Sequence, residues 1–223
     1  MSLERSDDAS PFAAGVRAVG PFAVAVLAFG VAFGVLARAA GFGTLAPIVM
    51  SATTFAGSAQ FAAASVIGDA GTVAAAVAAA LLLSARYGPI GVSVSPWLRG
   101  SVVSRLVQAQ LVVDENWALA AREGGRFDRG VLLGAGVTLY VCWVIGTAVG
   151  ALVGDAFGDP AALGLDAAFP ALFLALLVPQ LGDRRKLQAA ILGAGIALIL
   201  TPLAPVGVPI VAASGACLLG VRR

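Results

Sequence analysis

Three groups of polar residues stand inside an otherwise apolar chain and have the types and spacing to do chemistry. The first is the run Met50-Ser51-Ala52-Thr53-Thr54-Phe55-Ala56-Gly57-Ser58-Ala59-Gln60-Phe61-Ala62-Ala63-Ala64-Ser65, which carries six hydroxyl or amide side chains. Ser51, Thr54 and Ser58 recur at intervals of three and four, which places them on one face of a continuous helix. Gly57 beside Ala56 permits close backbone approach, so the run reads either as hydrogen-bonded helix packing or as a site. In the second reading Gly57-Ser58 loosens the helix, and freed backbone groups and the Gln60 amide face a cavity at mid-membrane. The second group is Arg86 alone. It falls deep in an apolar stretch, where an arginine costs roughly 2.5–3.5 kcal/mol on insertion scales. It is therefore expected to reach an interface at the Gly88-Pro89 break, to pair with an acidic residue, or to hold the carboxylate of a substrate or coupling group, which a guanidinium binds bidentately. The third group is Asp114-Glu115, two adjacent carboxylates flanked by apolar residues from Leu106 to Ala121. In a solvated loop they are surface charges. In an inserted amphipathic helix they could receive an ammonium group or titrate with a coupling proton, although neighbours on a helix point about 100° apart and cannot both face one site squarely.

These residues must be positioned by a membrane fold. Of 223 residues 60% are hydrophobic and only 12% charged, with a mean hydropathy of +0.97, whereas soluble domains are about 25% charged. The charge-free runs are of spanning size, since a bilayer core of about 30 Å takes about 20 apolar helical residues and lipid offers the backbone no partner. Divided at turn residues, the runs predict an all-α, polytopic membrane protein forming one domain over residues 1–223. About seven transmembrane helices are expected, at 15–37, 45–67, 72–97, 130–153, 167–182, 187–203 and 206–221. Arg86 is then 15th of the 26 residues in the third span. The fifth and sixth are short, and Pro170, Pro179 and Pro202 predict kinks or breaks there. Three spans on each side of a lone fourth are compatible with a three-plus-one-plus-three repeat.

Alternating sides along those spans puts Arg38, Arg99, Arg105, Arg122, Arg126, Arg129, Arg184, Arg185, Lys186, Arg222 and Arg223 on one face and only Arg5 and Arg17 on the other. The positive-inside rule then predicts an outside N-terminus, a cytoplasmic C-terminus, and a cytoplasmic, partly amphipathic 98–129 segment in the cell membrane. Glu4, Asp7 and Asp8 before the first run argue against a cleaved signal.

Composition excludes much else. There are no histidines, which removes Ser/His proteolysis, histidine metal sites and histidine proton relays. Cys142 and Cys217 lie apart in apolar runs and read as small hydrophobes. No phosphate-binding loop is present, and a net charge of +2 is too small to point to nucleic acid. No cofactor or metal is expected, and an enzyme is disfavoured. Gly146-Thr147-Ala148-Val149-Gly150 is a tight-packing motif. Trp97, Trp117, Tyr87 and Tyr140 read as interface or packing aromatics.

The chain resembles the AzlC family, the large subunit of branched-chain amino acid exporters. The resemblance runs through Pro21-Phe22 to Phe33-Gly34, Phe55-Ala56-Gly57-Ser58-Ala59-Gln60-Phe61, Ala85-Arg86-Tyr87, Asp114-Glu115 and Phe169-Pro170-Ala171-Leu172-Phe173. Family members often carry Asn and His where this chain has Ser84 and Tyr87. The resemblance implies export of leucine, isoleucine and valine, with methionine a further candidate, and a small hydrophobic partner subunit of the AzlD type.

A zwitterion with an apolar side chain needs a carboxylate anchor, an ammonium acceptor and an apolar pocket. Arg86 or the N-terminus of a broken helix could supply the first. Ser58, Gln60, Asp114 or unwound carbonyls could supply the second, and Phe55 and Phe61 beside Gly57 the third. Proton-driven, alternating-access efflux is the expected activity. A channel or structural subunit without carrier activity is the alternative.

Overall fold

The structure is a computed structural model and describes residues 10–154, 174, 177–178, 181–182, 184–204 and 208–216. Helix α1 (Pro11–Ala39) opens with Ser10 capping the Ala13 N–H at 3.3 Å and Pro11 at its first position, where the missing donor costs nothing. Its 29 residues make a rod of about 43 Å, longer than the hydrocarbon core. The other long helix, Arg129–Val153, is started by Asp128 accepting from the Val131 N–H at 3.1 Å.

These two helices form the spine, and they meet backbone to backbone. A Cβ added to Gly34 would lie 2.4 Å from the Thr147 carbonyl oxygen, and one added to Gly150 only 2.1 Å from that of Val31. Neither glycine can be replaced without parting the helices. Gly15 lies against Val131, Gly30 against Trp143 and Gly34 against Thr147. Both sequences advance together, so the two helices run parallel.

Between them the chain forms α2 (Leu45–Thr54), α3 (Gly57–Gly68), α4 (Val73–Ser84), α5 (Tyr87–Val94), α6 (Val102–Gln110) and α7 (Asp114–Ala120), which makes Arg129–Val153 α8. Ser51 of α2 meets Thr147, and farther along α2 the Ala52 carbonyl meets the Tyr140 hydroxyl, so α2 rises against the direction of α8. From the break at Phe55-Ala56, α3 turns back: Gly57 and Phe61 lie beside Trp143, while Gly68 meets Ala40 at the end of α1. The pair is a re-entrant helical hairpin with its tip beside the middle of α8. Phe55 takes the left-handed conformation, φ 43°, which costs roughly 1–2 kcal/mol for a residue with a Cβ. Its ring is held against Tyr140 at 5.2 Å.

Helix α4 packs antiparallel on α3 through Ala62, Ala63, Val66, Ala76 and Ala79. After a bend of 42°, α5 carries on until Val94 packs with Val131 and Leu132 at the start of α8. Together they make one bent crossing. Pro89 supplies the cause, because its ring needs room at the carbonyl four residues earlier, that of Ala85. A second re-entrant hairpin follows. Helix α6 descends from the α8 N-terminal side, where Gln108 binds Arg129, to Leu111, which lies against Gly136. Helix α7 then returns to Ala120, whose carbonyl accepts from the Asp128 N–H. A two-residue ribbon, Ala121–Arg122 with Arg126–Phe127, closes the turn. Beyond α8, α9 (Arg184–Leu200) and α10 (Val208–Ser214) pack on each other and α10 touches α4.

The helical membrane fold matches the sequence expectation, and the centre of the partly amphipathic 98–129 segment enters the protein as α6 and α7. Two details correct the expectation. The 45–67 segment is no crossing span but a hairpin that returns to the side it left. As spans one and four of an alternating chain, α1 and α8 would run antiparallel, and they run parallel. Among the described residues two helices are long and apolar enough to cross a membrane, and α4 with the segment Tyr87–Trp97 makes a third. Residues 11–127 show a crossing followed by a re-entrant hairpin, twice, in opposite directions. The fifth span, with Pro170, Pro179 and the Phe169-to-Phe173 motif, lies almost wholly outside the described residues, as does much of the seventh.

Candidate functional site

The two hairpins enter from opposite ends of the spine, and their tips approach each other beside the middle of α8. Arg86, at the α4–α5 bend, joins them. Its Nε donates to Asp114 Oδ2 at 2.8 Å on the upper hairpin, and its Nη2 to Ser58 Oγ at 2.9 Å on the lower one. Nη1 returns to the Leu83 carbonyl at 3.2 Å, Nη2 also reaches the Tyr87 hydroxyl at 3.4 Å, and the guanidinium lies 5.0 Å from the Tyr87 ring centroid. The charge that looked unaffordable in an apolar run is thus compensated by a carboxylate, a hydroxyl, a carbonyl and an aromatic face.

A cavity of about 230 Å³ lies at this junction. Phe55, Gly57 and Ser58 come to it from the lower hairpin, Val113, Asp114 and Glu115 from the upper, and Arg86 and Tyr87 from the bend. The apolar wall is Phe22, Ala25, Val26 and Phe29 of α1 with Leu139 and Trp143 of α8. One cation and two carboxylates therefore face a space otherwise lined by aliphatic and aromatic carbon. Among the described residues no group of three or more His, Cys, Asp or Glu could hold a metal ion.

Of the residues singled out in the sequence, Phe55, Gly57, Ser58, Arg86, Asp114 and Glu115 meet at this cavity, although they come from two helices, α3 and α7, the α4–α5 bend and the break before α3. Gln60 and Phe61 stand behind its wall. Gln60 is 0% exposed: its Oε1 accepts from Trp143 Nε1 at 3.0 Å and from the Ala56 N–H at 3.2 Å, and its Nε2 donates to Ser51 Oγ at 2.9 Å. Ser51 in turn shares a hydrogen bond of 2.8 Å with Thr147. Gln60 thus replaces the helical partner that the Ala56 N–H loses at the break and fixes the Trp143 ring that faces the cavity. Phe61 packs on Phe33 at 5.5 Å and Trp143 at 6.2 Å. The shared face of Ser51, Thr54 and Ser58 does not form, because the break separates Ser58 from the other two and Thr54 is exposed.

Sequence reasoning missed Trp143 and placed Tyr87 among the packing aromatics. A signal for Trp143 existed. It lies in the interior of a 25-residue charge-free run, 130–154, far from the interfacial belt, and an indole N–H there needs a buried acceptor. The α1 wall carries no such signal, since Val26 and Phe29 are ordinary apolar residues of a long helix.

The AzlC protein family profile matches residues 21–157, which includes every element of the cavity. The branched-chain amino acid transport protein AzlC of Bacillus subtilis is 28% identical over 83% of this chain and 75% of its own length. A membrane protein of Archaeoglobus fulgidus is 30% identical over 90% of each chain, and the inner membrane protein YgaZ of Escherichia coli 27% identical over 82% and 80%. No solved structure matches the chain.

Proposed function

The chain belongs to the AzlC family, and we propose that it is a carrier that exports branched-chain amino acids, driven by the proton gradient and working with a small AzlD-type subunit. The observation that carries this reading is the Arg86–Asp114 pair set in an apolar cavity where two re-entrant tips meet. A branched-chain amino acid brings a carboxylate, an ammonium and a branched hydrocarbon. Arg86 takes the first and Asp114 the second, while Phe55, Val26, Phe29, Leu139 and Trp143 surround the third. Glu115 faces the same cavity without a bond to Arg86 and is the group left to carry a coupling proton.

Leucine counterflow in proteoliposomes tests the assignment. Arg86→Ala removes a charge-assisted anchor, and about a 10- to 100-fold loss is expected; unchanged counterflow would remove Arg86 from the site. Glu115→Gln is expected to keep counterflow and lose gradient-driven transport. A ligand-independent conductance in place of saturable flux would favour a channel.

Orientation belongs to the same reading. With α1 and α8 parallel, the basic residues of the described 10–154 segment other than Arg86 fall as Arg17, Arg99, Arg105, Arg122, Arg126 and Arg129 on the α1 N-terminal side, against Arg38 on the opposite side. The positive-inside rule supports a cytoplasmic N-terminus on that basis, which reverses the alternating-span expectation and leaves the ends of the 98–129 segment cytoplasmic. A reporter fused ahead of Pro11 that is active only outside the cell would overturn it.

A further inference from the structure

The guanidinium of Arg86 has one edge on which Nε–H and an Nη2–H lie parallel, and this edge takes both oxygens of a carboxylate. In the structure that edge is already filled by oxygens from two different elements, Asp114 Oδ2 on Nε at 2.8 Å and Ser58 Oγ on Nη2 at 2.9 Å. The remaining arm, Nη1, is tied to the Leu83 carbonyl of its own helix α4. We propose that the substrate carboxylate competes with Asp114 and Ser58 for this edge, so that loading the site removes the Arg86 bridge between the two hairpin tips. The inference rests on the carrier reading above and adds how substrate and conformation are linked.

The displacement is feasible because the ion pair is single-bonded and half open, with side chains 36% and 41% exposed, and such pairs hold weakly. Arg86 keeps its place through Leu83 when the edge changes partners. Helix α3 stays fixed through Gln60, whereas α7 loses its link to Arg86 and the hairpins keep the bond from Gln110 Nε2 to the Thr53 carbonyl at 2.7 Å, so the α6–α7 hairpin is the one loosened. The released Asp114 carboxylate stands next to the bound substrate and is free to accept its ammonium. One event thus loads the carboxylate, creates the ammonium acceptor and opens the latch.

The test is binding of leucine and of 4-methylpentanoate, which is leucine without its ammonium, to the full chain in lipid nanodiscs. Removing either competitor favours the carboxylate, so Asp114→Asn and Ser58→Ala are each expected to bind 4-methylpentanoate about two- to fivefold more tightly than wild type. Asp114→Asn is expected to bind leucine more weakly, because the ammonium loses its acceptor. Ser58→Ala alters no charge and keeps the test decisive if Asp114→Asn fails to assemble. If wild type binds leucine but neither variant gains 4-methylpentanoate affinity, or only Asp114→Asn does, the competition is overturned while the carrier reading stands. If wild type binds neither compound, both fall.

Discussion

The two re-entrant hairpins look alike in outline and differ in where their polar groups point. In α2–α3 the polar groups turn away from the cavity. Ser51, Gln60, Thr147 and Trp143 form a buried chain of hydrogen bonds behind the tip, and the cavity receives only Phe55, Gly57 and the Ser58 hydroxyl. In α6–α7 the buried node is smaller. Asn116 accepts from the Val113 N–H at 2.8 Å and donates to the Leu111 and Leu132 carbonyls at 2.8 and 2.9 Å, while the cavity receives both carboxylates, Asp114 and Glu115. Satisfied polar networks in a low-dielectric interior hold one geometry, so the lower hairpin is built as a fixed wall. The upper one presents both cavity-facing carboxylates, Asp114 and Glu115.

The sharpest way to break this comparison is Gln60→Leu. The Ala56 N–H and the Trp143 indole N–H would both be left buried without an acceptor, at about 1–3 kcal/mol each. A loss of about 2–6 kcal/mol is expected in the thermal or denaturant stability of the purified chain. A change below about 1 kcal/mol would mean that the network does not hold the tip. The matching change in the upper hairpin, Asn116→Ala, is expected to cost less, about 1–3 kcal/mol, because the Val113 N–H is the single buried donor left without its acceptor. Hydrogen exchange should then accelerate across 102–120 and leave 45–68 as slow as in wild type. Equal acceleration in both segments would make the hairpins one unit and end the distinction between them.

How much of this was legible in the sequence follows the same divide. Helical membrane architecture was legible because the bilayer removes every other option for an apolar backbone. The Gly146/Gly150 packing was legible because only glycine lets two backbones touch. Arg86, Asp114 and Glu115 could be chosen because a charge in an apolar run needs an explanation. Re-entrance was not legible. A run such as 45–67 has the length and apolarity of a crossing span, and the break falls at Phe55-Ala56, two residues that signal no turn; a left-handed Phe55 is held against Tyr140, a tertiary contact. The strict alternation of spans failed for that reason, since counting charges on alternate sides assumes that each run crosses. Gln60 was singled out by its polarity, which says that it must be satisfied but not whether by ligand or by protein.

The smallest expected effect tests whether α7 is tethered mainly through Arg86. Trp117 on α7 donates its indole N–H to Ser93 Oγ on α5 at 2.9 Å and packs on Phe127, with ring centroids 5.9 Å apart. Trp117→Phe removes the hydrogen bond and retains an aromatic ring. No buried donor is stranded, because the Ser93 hydroxyl still donates to the Ile90 carbonyl at 2.7 Å, so the cost should be about 1 kcal/mol or less. Leucine counterflow in this variant should stay within about fivefold of wild type, since a bond worth about 1 kcal/mol shifts a conformational equilibrium by no more than that. A loss as large as that of Arg86→Ala would show that α7 is held to the bent crossing along its whole length. The upper hairpin would then be as fixed as the lower, and the mobile element would have to be sought elsewhere.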